Sequence, residues 1–294
     1  MRLERKFNAL IYLTFLQGER VRKFKFFLLA LIATVFLTGC GNDKGADTAK
    51  AASNEADAIA KIKERGYVRI GVFSDKPPFG YVDKDGKNQG YYIYFAKRIA
   101  KDLLGDESKV KFELVEAAGR VEVLVADKVD ITLANFTKTP ERAQVVDFAL
   151  PYMKVSLGIV SPEGAVIKSI DELKDKTLIV NKGTTADAFF TKNYPDIKLA
   201  KYDQNTETFA ALVDKRGAAL AHDNALLFAW AKETPGFVVG IEALGDVDVI
   251  APAVKKGNKV LLDWLNNEII ELGKENFFHK DYDATLKPIY GDSV

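Results

Sequence analysis

The sequence predicts a two-lobed α/β protein with a ligand cleft between the lobes. Strand and helix signals alternate from residue 56 onward, the rhythm of βαβ units around a parallel sheet. Two such runs follow one another, and a last segment returns toward the first, giving expected lobes of 58–153 with 250–294, and 154–249. Each polar stretch that can carry chemistry follows a predicted strand, and ligands of such sheets sit at the carboxyl ends of strands.

In the first unit, Ala56 to Arg65 reads as a helix with apolar Ile59 and Ile62, stopped by Gly66. Tyr67–Phe73 is a strand, Pro77-Pro78 forces an extended loop, and Asp83–Asn88 is a hairpin turn. Ile93 to Leu104 is a helix with Ala96, Ile99, Ala100 and Leu103 on one face. Strands follow at Val110–Val115 and Val129–Ala134, with a helix near Val121–Ala126 between them.

The second unit begins near Val155. Leu178–Val180, Ile197–Tyr202 and Ala218–Ala221 are its strands. Thr184–Asn193, Thr206–Lys215 and Asn224–Lys232 are its helices. The chain returns through Val247–Val254 into a long amphipathic helix, Asn258–Lys274.

The first 57 residues have another character. Phe26–Gly39 is mostly apolar, Arg22, Lys23 and Lys25 precede it, and Cys40, the one cysteine of 294 residues, follows. A basic stretch, a short apolar stretch and a small residue before the cut describe an export signal. The run is shorter than the ~20 residues a spanning helix needs. Leu37-Thr38-Gly39-Cys40 resembles a bacterial lipobox, so 1–39 is expected to be removed and Cys40 acylated. Val21-Arg22-Lys23 would give an ordinary start to that signal, and translation is expected to begin at Val21. Residues 40–57 lack large apolar side chains and form a flexible tether. The protein is therefore expected outside the cytoplasm, held to a membrane by lipid.

Without 1–39 the chain keeps 35 basic and 39 acidic side chains, net −4. That balance gives no support for nucleic-acid binding. His222 and His279 lie far apart in sequence, and no metal or other cofactor is expected.

Three strand-end stretches carry the chemistry. In Ala134-Asn135-Phe136-Thr137-Lys138-Thr139-Pro140-Glu141-Arg142, Arg142 can grip a carboxylate bidentately. Thr139-Pro140 also makes a normal helix start, and Arg142 reads equally as a surface arginine of that helix. In Asn181-Lys182-Gly183-Thr184-Thr185, amides at the helix start favour an anion, and Thr184 and Thr185 add hydroxyls. An ordinary strand-to-helix cap has the same pattern, and no Gly-Lys-Ser/Thr ending makes it a Walker loop. In Leu220-Ala221-His222-Asp223-Asn224, Asp223 can cap the next helix or hold an ammonium. His222 reads as structural, on the opposite face of the strand from Asp223.

Together these stretches resemble the amino-acid-binding proteins of bacterial ABC importers, solute-binding family 3, over about residues 56–291. The resemblance rests on Gly71 to Phe79 with its Pro-Pro-Phe, Gly90-Tyr91, Val129-Asp130, Thr139-Pro140-Glu141-Arg142, Asp147-Phe148 before Pro151-Tyr152, Lys182-Gly183-Thr184-Thr185, and Asp223. Gly71–Tyr81 and Asn205-Thr206-Glu207-Thr208-Phe209-Ala210-Ala211-Leu212 are most similar to cysteine-binding surface lipoproteins within that family. The resemblance implies the type II periplasmic-binding-protein fold. It implies that Arg142 holds the ligand's α-carboxylate, assisted by Thr137, Thr184 and Thr185, and that Asp223 holds the α-ammonium. It implies that Phe73, Lys76, Phe79, Arg120, Asn135 and Phe136 select the side chain. Two positions depart from the pattern. Tyr92 stands where relatives carry a helix-capping aspartate, so a lost cap is expected. Gly119 is expected to widen the site or loosen Arg120.

The implied function is a monomeric, lipid-anchored receptor that binds a polar L-amino acid, cysteine favoured, and delivers it to an ABC permease. The alternatives are an enzyme resembling the cyclohexadienyl dehydratases of this fold, or a ligand-sensing surface antigen. An enzyme needs a positioned acid or base, and no residue stands out for that role.

Overall fold

The computed structural model describes residues 57–291. The export signal and Cys40 lie outside the described residues. The first helix, α1 (Asp57–Arg65), buries Ile62. β1 (Val68–Val72) is an inner, largely buried strand of the first sheet, apolar but for Arg69, which bonds Asp130. It is followed by the small hairpin strands β2 (Asp75–Lys76), β3 (Gly80–Val82) and β4 (Asn88–Gln89). α2 (Tyr91–Leu104) packs Phe95, Ala96, Ile99, Ala100 and Leu103 into the core. β5 (Val110–Leu114), α3 (Arg120–Val125), β6 (Ile131–Thr132), α4 (Pro140–Val145) and β7 (Val146–Phe148) complete the run.

The second run opens with β8 (Met153–Pro162), then β9 (Thr177–Asn181), α5 (Thr185–Asn193) and β10 (Lys198–Tyr202). It continues with α6 (Asn205–Val213), β11 (Ala219–Asp223), α7 (Asn224–Glu233) and the long β12 (Phe237–Ile250). β13 (Ala253–Lys255), α8 (Lys259–Lys274), α9 (Phe277–Thr285) and α10 (Lys287–Tyr290) close the chain.

The sheet orders are β5-β1-β6-β13-β7 and β10-β9-β11-β8-β12. In each, three parallel strands meet antiparallel ones supplied after the crossovers. The chain leaves the first lobe after Phe148 and returns after Ile250. The two crossings run side by side: Ile250 pairs with Met153, Ala149 N–H donates to Pro252 O, and Tyr152 N–H donates to Ile250 O. Two such connections are the geometry about which hinge closure of two lobes can occur.

Several expectations need correction. The strand expected at 129–134 shrinks to two residues, because the chain turns away at Asn135, whose φ is 46°. β12 begins at Phe237 rather than near Val247; its register shifts against β8 disrupt the alternation that would have revealed it. Tyr92 is no failed cap. The N-cap is Gly90, and Tyr92 is fully buried against Gly80, where a Cβ would run into its ring. Gly119 does not line the small cavity between the lobes: a Cβ there would meet only Glu116 O, at 3.7 Å, and Arg120 beside it is held by four backbone carbonyls. Among the described residues no helix is long and apolar enough to cross a membrane.

Candidate functional site

The three chemistry-bearing stretches converge with β2 on one small cavity between the lobes. Phe73, Lys76, Arg120, Asn135 and Thr137 line it from the first lobe; Thr184, Thr185, His222 and Asp223 line it from the second. It measures about 10 Å³, room for roughly one water. An amino acid therefore enters only when the lobes part or Lys76 moves.

Asp223 ends β11 and is buried. Its Oδ2 accepts from Lys76 Nζ at 3.0 Å and from Asn135 Nδ2 at 2.6 Å, both from the other lobe. It caps no helix amide with its side chain. Burial alone would raise its pKa, but Lys76 and its other cationic neighbours hold it at about 2. The same burial pulls the Lys76 ammonium down, against the pull of Asp223.

Arg120 opens α3 and is 3% exposed. It donates to the carbonyls of Ala117, Ala134, Asn135 and Gly183. Burial and the neighbouring Arg142 lower its pKa to about 9. Arg142, on α4, donates to Thr137 O at 2.7 Å and Gly183 O at 2.8 Å. The side-chain hydrogen bonds of both guanidiniums thus go to backbone carbonyls, not to a carboxylate. Neither Arg142 nor Phe136 lines the cavity. Beside it, Phe136 serves the guanidiniums. Its ring lies under both guanidiniums, 4.7 Å from Arg120 Cζ and 5.0 Å from Arg142 Cζ, a cation–π platform. Phe79 also stays out of the cavity, within the first-lobe core.

On the other lobe, Thr184 is the N-cap of α5 and accepts from Asp187 N–H at 3.3 Å. Asp187 reaches back to Gly183 N–H at 3.1 Å. That amide is therefore not left for an anion, contrary to expectation, while both threonines still line the cavity. Gly183 (φ +71°) comes so close to the first lobe that a Cβ would stand 2.6 Å from Ala118 Cα.

His222 is more involved than its sequence suggests. Its Nδ1 accepts the Asp223 N–H at 2.7 Å and its Nε2 pairs with Asn205 Oδ1 at 3.1 Å. An accepting Nδ1 leaves the proton on Nε2. Burial lowers its pKa to about 3, so the ring is neutral. The expected opposite facing fails at the strand's end: Nδ1 lies 3.7 Å from Asp223 Oδ2. Among the described residues no cluster of three His, Cys, Asp or Glu side chains could hold a metal ion.

The chain as a whole is matched by known proteins. Residues 68–284 match the family described as bacterial extracellular solute-binding proteins, family 3. The chain belongs to that family. This family 3 protein is 30% identical over 266 residues to the ABC transporter glutamine-binding protein GlnH of Bacillus subtilis, covering 90% of this chain and 97% of GlnH. Two solved structures are more alike in sequence. A solute receptor for L-cysteine of Neisseria gonorrhoeae is 62% identical with a TM-score of 0.80, covering 80% of this chain and 96% of the receptor. A cysteine-binding protein from Campylobacter jejuni is 66% identical, also at 0.80, covering 81% and 96%. Family 3 proteins are extracytoplasmic, and so is this one.

Two residues at the seam escaped the sequence reading, Asp75 and Asn205. Asn205 follows a strand just as the three recognised stretches do, and applying that rule to the end of β10 would have found it.

Proposed function

We propose that this amino-acid-binding receptor of an ABC importer takes L-cysteine and hands it to the permease. The observation that carries this is the charge arrangement. Three buried or half-buried cations, Lys76, Arg120 and Arg142, surround one buried carboxylate, Asp223. A zwitterion complements that set: its carboxylate neutralises guanidiniums whose hydrogen bonds go to carbonyls, and its ammonium takes Asp223. Lys76 must then yield Asp223 to the ligand and turn toward the ligand's side chain. A cramped cavity suits a short side chain, and the two most alike structures reported above are of cysteine-binding proteins.

The site is completed within one chain, which supports a monomer. We read the chain as a receptor rather than a dehydratase because both His222 nitrogens are engaged, by Asn205 and the Asp223 amide, Asp223 is taken by the ligand's ammonium, and the two structures reported above are of binding proteins. The lipobox supports acylation at Cys40 and anchoring by residues 40–57; labelled palmitate should enter the wild type and not Cys40→Ser.

Calorimetry with the twenty amino acids and cystine tests the ligand. Cysteine should bind most tightly, and Arg142→Ala and Asp223→Ala should each weaken every accepted amino acid by roughly 2–5 kcal/mol. Arg120→Ala should instead change the ranking. Full affinity in both Arg142→Ala and Asp223→Ala would remove the site assignment.

A further inference from the structure

α6 begins without a cap of its own. Its N-cap residue, Gln204, makes no side-chain capping bond, although the first amides of any helix need an acceptor. The acceptor comes from the other lobe. Asp75 Oδ2, on β2, takes Asn205 N–H at 2.6 Å and Thr206 N–H at 3.3 Å, while Oδ1 takes Asn205 Nδ2 at 2.9 Å. The negative charge sits at the positive end of the helix, where it is favoured.

The contact continues inward. Asn205 Oδ1 pairs with His222 Nε2, and His222 Nδ1 accepts the Asp223 amide. A chain of four residues, Asp75, Asn205, His222 and Asp223, thus runs from the rim of the cleft to the backbone amide of Asp223, whose carboxylate lies 3.7 Å from His222 Nδ1. Lys76, next to Asp75 on β2, meets the same carboxylate at the far end. The first lobe therefore grips the second with two consecutive side chains. This also gives a physical role to Ser74-Asp75-Lys76 and Asn205-Thr206, two stretches that the α-carboxylate and α-ammonium contacts leave unused.

We propose that Asp75 is a cross-lobe latch: it caps α6 only when the lobes are together, and through Asn205 and His222 it positions Asp223 for the ligand's ammonium. Asp75 does not line the small cavity around Asp223; with Phe73, Ser74 and Asn205 it lines a second opening of about 150 Å³ between the lobes, and its side chain bonds the start of α6, so it acts on how long the cleft stays shut. The link to the ammonium rests on the receptor reading above; the latch itself does not.

The test uses the soluble mature chain with Asp75→Ala, Asp75→Asn and the double variant Asp75→Ala/Gln204→Ser. The serine gives α6 a local cap and so restores helix stability without restoring the bridge. Stopped-flow release of cysteine should be at least tenfold faster in Asp75→Ala, with the association rate within about twofold of wild type. The double variant should recover the melting temperature but keep the fast release. Release as slow as wild type in Asp75→Ala, or slow release regained in the double variant, would overturn the latch. Hydrogen exchange at the Asn205 and Thr206 amides reads the latch without reference to ligand. It should quicken at least tenfold in Asp75→Ala, which removes the acceptor, and less in Asp75→Asn, whose side-chain oxygen can still accept; unchanged exchange in Asp75→Ala would overturn it as well. Should the wild type bind no cysteine, the ligand assignment fails while the exchange result still decides the latch.

Discussion

The ammonium of Lys76 lies 3.0 Å from Oδ2 of Asp223, one side chain from each lobe and both nearly inaccessible to water. The pair ties closure to charge. Asp223 is depressed from 3.8 to about 2 because its cationic neighbours outweigh burial. For a depressed acid, the stabilisation is fully present above the solvated value and is lost as pH falls through the folded one. The wild-type melting temperature should therefore drop on acidification between about pH 4 and pH 2. In Lys76→Met, burial persists and the main counter-charge is gone, so the carboxyl protonates at higher pH. That variant should lose up to roughly 3–5 kcal/mol at neutral pH, with a smaller loss in Lys76→Met/Asp223→Asn. Superimposable acid titrations of wild type and Lys76→Met would show that the pair contributes nothing.

Gly183 concerns closure itself. Its φ of +71° and its approach to Ala118 leave no space for a Cβ. Its carbonyl also receives both Arg120 and Arg142. Gly183→Ala should hold the lobes apart, weakening every ligand together while far-ultraviolet circular dichroism stays unchanged. Small-angle scattering with saturating cysteine should show a larger radius of gyration than wild type. An equal radius and equal affinity would mean the contact yields without cost.

Tyr92 lies flat on the opposite conclusion from the one its sequence position invites. Its neighbours offer no open cap to repair, since Gly90 begins α2 and the Tyr92 ring fills the space over Gly80. Tyr92→Asp should cost at least about 3 kcal/mol, by removing a large core side chain and burying a carboxylate. Urea unfolding should show a lower midpoint. A midpoint equal to or above wild type would restore the idea of a missing cap.

The legible parts of this molecule were those where local chemistry and tertiary role agree. β1, α2 and α5 follow from apolar period and cap residues, and Thr137, Thr184 and Asp223, in stretches that end or follow strands, line the cavity as ligand residues of α/β sheets do; Arg120, at the start of α3, was reached only through the family resemblance. Aromatic positions misled because a ring near a site can serve the core: Phe79 and Phe136 are buried beside the cavity, not in it. The cross-lobe bonds could not be read at all. Asp75 and Asn205 are 130 positions apart; the strand-end rule marks Asn205 as a candidate, but nothing local names either residue as the other's partner. α9 and α10 were missed as well; their anchor is Phe277, stacked 5.3 Å from Tyr94 of α2, a contact set by tertiary packing.

Asp281 offers the last prediction, far from the cleft. It lies on α9, fully buried, with Oδ1 near Thr285 Oγ1 at 3.2 Å and Oδ2 without a partner among the described residues. Burial raises its pKa from 3.8 to about 9, and it in turn adds to the burial that pushes the Tyr91 and Tyr152 hydroxyls upward. The folded protein thus keeps a proton that the unfolded chain gives up near pH 4. Wherever the native state binds more protons, stability falls as pH rises. The loss should run from about pH 4 to pH 9 and stop beyond it. Asp281→Asn keeps the shape and removes the titration. Its advantage over wild type should be small at pH 5 and larger at pH 8.5, about 1–3 kcal/mol there. Paired thermal melts at the two pH values measure it directly, and an advantage that does not grow with pH would show that Asp281 is ionised in the folded protein.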